Sequence, residues 1–177
     1  NELAVAPQQS SAGETITSVF YHRSTGLLLR QPRPGAYEYL SGCCMLLAPR
    51  LATPPLFDEA FFFYGDDTEL GWRLKQRGIR QAKVPMAVVE HDAATGSRNG
   101  STFYEYHMVR AHWLLAGKVA GNRAQHAVYL VGRALFLPMR ALLRAVRQRT
   151  LVPVRALFAA SWDVAFGRRR SLTPPPR

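Results

Sequence analysis

The sequence predicts a mixed α/β unit followed by amphipathic α-helices, and three observations carry that prediction. Strand-like apolar runs at residues 39–49 and 86–90 alternate with helix-patterned segments at about 68–77 and 101–117. Beyond residue 117 the pattern is helical. The whole net charge of +11 also falls there: Lys/Arg and Asp/Glu balance over residues 1–117, and Asp163 is the single acid after them. Finally, 177 residues at 47% hydrophobic supply one ordinary core rather than two. The expected division is therefore a neutral body, residues 1–117, and a basic helical tail, residues 118–177.

Residues 1–38 are polar and turn-rich, and PRPG at 32–35 marks a turn before a new element. YLSGCCMLLAP, residues 39–49, reads as a buried strand or short helix, with its Gly42-Cys43-Cys44 centre favouring strand. The adjacent cysteines suit neither a disulfide framework nor a metal pair. They read as small buried hydrophobes in a reducing compartment. The double proline of ATPPLFDEAFF interrupts regular structure, so Phe61, Phe62 and Phe63 are expected to pack inward from a loop.

Asp67-Thr68 offers a side-chain oxygen to cap a helix, Leu70 and Leu74 lie one turn apart, and Gly78 supplies the stop. Residues 86–90 then form a strand, with Pro85 at its start or on a sheet edge. A helix at about 101–117 is expected to turn Phe103, Met108, Trp113 and Leu114 inward. No signal peptide opens the chain, and no uninterrupted apolar run nears the roughly 20 residues of a membrane-spanning helix. The Asn99-Gly100-Ser101 sequon accordingly reads as incidental.

The stretch FDEAFFFYGDDTELGWRLKQRG, residues 57–78, sets Asp66, Asp67 and Glu69 directly after an apolar run. Two roles are open for these acids: they start a helix, or they stand at the mouth of a site and perform chemistry. Ligand sites of open α/β sheets lie at element ends, where both the acids and His91 fall. Each neighbour also has two readings. Trp72 and Arg73 are a packing aromatic and a solvated charge, or part of the site. Tyr64 faces a substrate or the core. Gly42 permits a close backbone approach or only a bend. His91 is a ligand or a hydrogen-bonded structural residue.

Three pieces in order, GCCMLLAPR, LFDEAFFFYGDDTELGWRLKQRG and VPMAVVEHDAATGS, resemble the C-terminal half of inverting family-two glycosyltransferases. The likeness is to the bacterial rhamnosyltransferase- and galactofuranosyltransferase-like branch, with a GT-A fold, and covers residues 39–117. It implies that Asp67, the second acid of the pair, is the general base. A sugar hydroxyl is a poor nucleophile, so a carboxylate must take its proton as it attacks the anomeric carbon. Asp66 stands where the family usually has Glu, and Glu69 where Asp is common. The resemblance implies that these two, with Trp72, Arg73, Gly42 and Tyr64, orient the acceptor or hold the loop.

His91 would join an upstream D-x-D motif in holding a divalent metal, Mg or Mn, against the leaving nucleoside diphosphate. No D-x-D occurs in the 177 residues, and no phosphate-cradling glycine motif replaces it. The expectation is an acceptor-side portion that lacks the N-terminal nucleotide-binding half and is inactive alone. The branch further implies a nucleotide-sugar donor, a lipid-linked or polysaccharide acceptor, rhamnose as the family-level sugar, and a place in cell-wall or polysaccharide biosynthesis.

In the tail, a helix expected at about 124–149 carries Arg133, Arg140, Arg144 and Arg147 on one face, with a kink at Pro138. VRALFAASWDVAFGRRR follows, with Phe158, Trp162 and Phe166 one turn apart ahead of Arg168, Arg169 and Arg170. Basic amphipathic helices with aromatic residues seat at the interface of anionic membranes without crossing. These arginines and Trp162 are thus the expected membrane contacts of a cytoplasmic protein, peripheral at the inner face of the cytoplasmic membrane. The alternative for the helices is a cap on the body with solvated arginines. Nucleic acid is not expected, since the aromatics fall at helix-core spacing rather than as a stacking platform. The competing functional reading is a non-catalytic membrane- or nucleic-acid-binding adaptor built on an inactive homologue.

Overall fold

A computed structural model of the chain describes residues 3–11, 14–16, 18–52, 54–90 and 100–168. The architecture is mixed α/β, with small sheets and four helices among the described residues. In order these are β1 (Leu3–Ser11), β2 (Glu14–Ile16), β3 (Phe20–His22), β4 (Leu28–Leu29), β5 (Ala36–Glu38), β6 (Leu46–Leu47), α1 (Asp66–Gln76), β7 (Arg80–Glu90), α2 (Thr102–Lys118), α3 (Arg123–Gln148) and α4 (Val152–Ala165). The chain forms two compact units: Asn1–Arg23 with Leu27–Asp92, and Ser24–Gly26 with Ala93–Arg177. The division precedes α2 instead of following residue 117, because the buried face of α2 belongs to the same core as α3 and α4.

In the first unit β1 pairs antiparallel with β2 and β6 and parallel with β7. The β1–β7 register runs from Leu3 opposite Arg80 to Pro7 opposite Val84, then resumes with Gln8 opposite Val88. Residues 85–87 leave the ladder there, where Pro85 has no N–H to donate. The strand thus starts at Arg80 rather than at 86, and Pro85 lies at an irregularity inside it. A second sheet has the antiparallel order β4-β3-β5. Five strands therefore come from the first 38 residues, expected to be mainly turns. Ala4 and Ala6 are buried, so the strand pattern there is written in small residues rather than the large β-branched ones that announce strands.

Leu70 and Leu74 of α1 do face inward, against Ala4, Ala6, Leu40 and Leu51, with Met45, Phe57 and Ile79 at the margin. Gly71 allows the close approach: a Cβ there would run into Tyr39. The helix ends as expected before Gly78, whose φ of +70° is left-handed. Cys43 and Cys44, expected inside, are exposed. They fall in the turn before the two-residue strand β6, which is too short to bury the whole run. Of the three phenylalanines only Phe61 is buried; Phe62 is exposed and Phe63 half-buried.

The second unit packs Tyr106 and Val109 of α2, Leu137 and Ala141 of α3, and Ala156, Leu157 and Ala160 of α4 into one core, with Trp113 at its edge. Phe103 is buried as expected, but Met108 and Leu114 are only half-buried. Ser101 caps α2 by accepting from the Tyr104 N–H at 3.1 Å, and Asn122 caps α3 through the Gln125 N–H at 2.9 Å. The helix of α3 continues through Pro138. Charged groups lie inside this unit. Glu105, at 0% exposure, takes Arg140 at 3.1 Å and Arg144 at 2.7 Å. The guanidinium of Arg133 is spent on the carbonyls of His112 and Ser24, at 3.2 and 2.6 Å.

Candidate active site

Asp66 and Asp67 open α1, two residues earlier than a cap at Asp67 requires. The cap position belongs to Gly65, at φ +87°, and makes no side-chain capping bond. Tyr64, immediately before it, also has positive φ, +63°, so the chain enters the helix through two successive left-handed residues. This turn puts the carboxylates at the positive end of the helix, where partial charges favour the ionised form.

Asp67 is held from two sides. Its Oδ2 accepts the backbone N–H of Gly42 at 3.0 Å, across 25 residues of sequence. Its Oδ1 accepts the Thr68 N–H at 2.6 Å and the Thr68 hydroxyl at 3.2 Å. Burial nevertheless pushes the carboxyl above the ordinary aspartate range. The Gly42 N–H draws it back down, and the charge of neighbouring Asp66 adds to the rise. The residue keeps partial exposure. An ionised carboxylate has about four acceptor positions, so lone pairs remain for an incoming hydroxyl. The arrangement is a fixed carboxylate of raised basicity on a residue that keeps partial exposure.

Gly42 therefore reaches Asp67 itself. A Cβ at this position would lie 3.4 Å from the Asp67 Cβ and 3.7 Å from its Oδ2. Glu69 and Arg73 act on the loop: Arg73 Nε meets both Glu69 oxygens at 2.8 and 2.9 Å, and its Nη2 donates to the Leu56 carbonyl at 2.6 Å. That triad ties the proline-containing loop to α1. Trp72 is buried against Tyr37, centroids 5.1 Å apart, with the Arg23 guanidinium 4.8 Å above its ring. It supports the helix from below and is not available to an acceptor. Tyr64 stacks edge-on against Phe63, centroids 4.5 Å apart.

Sequence reasoning missed two tyrosines beneath the acids. The Tyr37 hydroxyl donates to the Thr68 carbonyl at 2.9 Å. Tyr39 hydrogen-bonds the Thr68 side chain, and burial first, then the Asp67 charge, drives its pKa well above the usual phenol value. Burial likewise raises Tyr37, which also feels Tyr21. Both phenols stay protonated. The signal was the alternation Tyr37-Glu38-Tyr39, which puts two phenols on one side of a strand.

His91, Arg169 and Arg170 lie outside the described residues. Among the described residues no three His, Cys, Asp or Glu side chains converge as a metal group. The tail arginines fall differently from expectation. Arg133 is fully buried, and Arg140 and Arg144 turn inward to Glu105, because a buried carboxylate on α2 outcompetes solvent for them. Arg147, Arg168 and Trp162 remain exposed. Comparison of the chain with protein-family models, with curated proteins and with solved structures gives no match.

Proposed function

We propose that the chain is the acceptor side of an inverting GT-A glycosyltransferase, with Asp67 as its general base. The observation that carries this reading is the Asp67 carboxylate. It is fixed by Gly42 and Thr68, made more basic by burial, and still partly open to solvent. A general base that works near neutral pH needs such an upward shift.

In the proposed step a hydroxyl of a lipid-linked or polysaccharide acceptor approaches Asp67 and gives it the proton. The oxygen forms a bond to the anomeric carbon of a nucleotide-sugar, opposite the leaving group. The carbon–oxygen bond to the nucleoside diphosphate breaks, and its electron pair leaves with the diphosphate. One displacement inverts the anomeric centre. Asp66 keeps Asp67 basic, while Glu69 and Arg73 hold the loop that frames the acceptor. A resident divalent metal would neutralise the diphosphate when bound. The sugar is proposed to be a deoxyhexose such as rhamnose, and the exposed basic residues to favour an anionic membrane surface.

The test is the configuration of the product. The full-length gene product, given nucleoside-diphosphate sugars and a lipid-linked acceptor, should form a glycoside of inverted anomeric configuration by NMR; a retained configuration contradicts the reading. The adaptor alternative predicts membrane binding with no transfer to any acceptor.

A further inference from the structure

The helical unit carries its polarity inside out. Glu105, Arg133, Arg140, Arg144 and Asp163 point into it, with Glu105, Arg133 and Asp163 at 0% exposure. Outside, Val128, Val131, Leu135, Met139, Leu142 and Val146 of α3 are exposed, Leu135 at 73% and Val146 at 79%. Each lies three or four residues from the next, so they form one stripe along the helix, about 27 Å long at 1.5 Å per residue. Isolated exposed apolar residues are ordinary, but a continuous stripe of this length marks a contact surface.

We infer that this stripe, rather than the arginine face, is the part of the chain that enters the interface of an anionic phospholipid bilayer, with α3 lying in the membrane plane. Two observations select lipid as the occupant. Residues 118–162 contain no acid, so the charges of this segment are cationic, including exposed Arg123 and Arg147 on α3 and Arg149 at its end, and match anionic headgroups. A second copy would bring the same cationic segment against itself. On α4 the exposed Trp162 and Phe166 rings stack at 4.4 Å, as interface-seeking aromatics do.

By length and composition α3 also suffices to cross a membrane. Its inward side, however, is occupied by Arg133, Arg140 and Arg144, which need the partners that α2 and Ser24 provide. One apolar side and one protein-covered side fit an in-plane seat. The ion group of Glu105 with two arginines then has a clear use: it keeps those charges off the lipid-facing side. This surface deepens the membrane part of the proposed function. It is read without sugar or donor, so its failure leaves the Asp67 chemistry standing.

The experiment is co-sedimentation of the whole chain with vesicles of phosphatidylglycerol and phosphatidylcholine. Wild type should partition to the vesicles, and part of the binding should survive 0.5 M salt, because the contact is apolar as well as ionic. Leu135→Glu and Leu142→Glu should each lower the partition coefficient at least tenfold with an unchanged circular dichroism spectrum. Met86→Glu, at the 94% exposed site on the first unit, should leave binding unaltered. Failure of wild type to partition, equal loss with Met86→Glu, or no loss with the α3 variants overturns the inference. So does a dimer that holds off vesicles and is split by Leu135→Glu in light scattering.

Discussion

At the scale of single residues the proposed chemistry rests on Asp67. Its carboxyl is raised by burial and lowered by the Gly42 N–H, so the acid limb of the pH profile of kcat/KM should lie above the ordinary aspartate range. The rate should fall as pH drops through that limb, because protonated Asp67 accepts nothing. Gly42→Ala sets a methyl group against the carboxyl and removes water from it. The limb should then move to higher pH, with the plateau above it nearly unchanged, in initial rates measured across pH. Asp67 and Gly42 were both legible as candidates in the sequence. Their contact was not, since local patterning says nothing about pairing across 25 residues. The sequence leaves Gly42 open between a bend and a close backbone approach to substrate, and the structure shows its N–H donating to Asp67. The tyrosines were missed because Tyr37 falls in the stretch that reads as turn-rich and Tyr39 reads only as the start of an apolar run.

Elements were easier to locate than to orient. α1, α2, α3 and α4 all lie within a few residues of where periodicity and caps put them, because period and cap chemistry are local. The face of α3 that turns inward carries Leu137 and Ala141 of the core together with Arg140 and Arg144, which meet Glu105 on α2. Glu105 to Gln leaves Arg140 and Arg144 facing a neutral amide. Breaking buried ion pairs of this kind costs about 3–5 kcal/mol, and urea unfolding should show a loss in that range. α2 also sets an acid sensitivity. Burial and Arg110 lower His107 to about 4, and burial with Arg133 and Arg140 lowers His112 to about 3. The unfolded histidines bind protons near pH 6.5 while the folded ones do not. Stability contributed by the neutral rings is therefore full above 6.5 and declines as pH falls toward 4 and then 3. Unfolding by urea at pH 7 and pH 4.5 should register the drop, and His112→Gln should reduce it.

For the whole molecule, composition located the charge but not the faces it occupies. The excess of +11 does sit beyond residue 117. Three of its cations, Arg133, Arg140 and Arg144, however, turn into the helical unit, onto Glu105 and onto the carbonyls of Ser24 and His112. A helix wheel gives two faces and no rule for which is inside when a buried acid waits on the neighbouring helix. The division before α2 has the same origin, since the residues that bury it lie in α3 and α4. The small-residue strand at the N-terminus was hidden for a different reason: Ala4 and Ala6 carry the core with little apolar bulk to mark it.

The most direct measurement compares sugar transfer by the full-length gene product with that of its Asp67→Asn and Asp66→Asn variants, over a panel of nucleoside-diphosphate sugars that includes a deoxyhexose donor. Asparagine keeps the shape of Asp67 and cannot take the proton, so kcat should fall by about 10²–10⁴, the usual worth of a general base. The acceptor KM should stay within a few-fold, and Asp66→Asn should cost far less. An Asp67→Asn enzyme as active as wild type, or no transfer by the wild type from any donor in the panel, would contradict the assignment of Asp67 as the base.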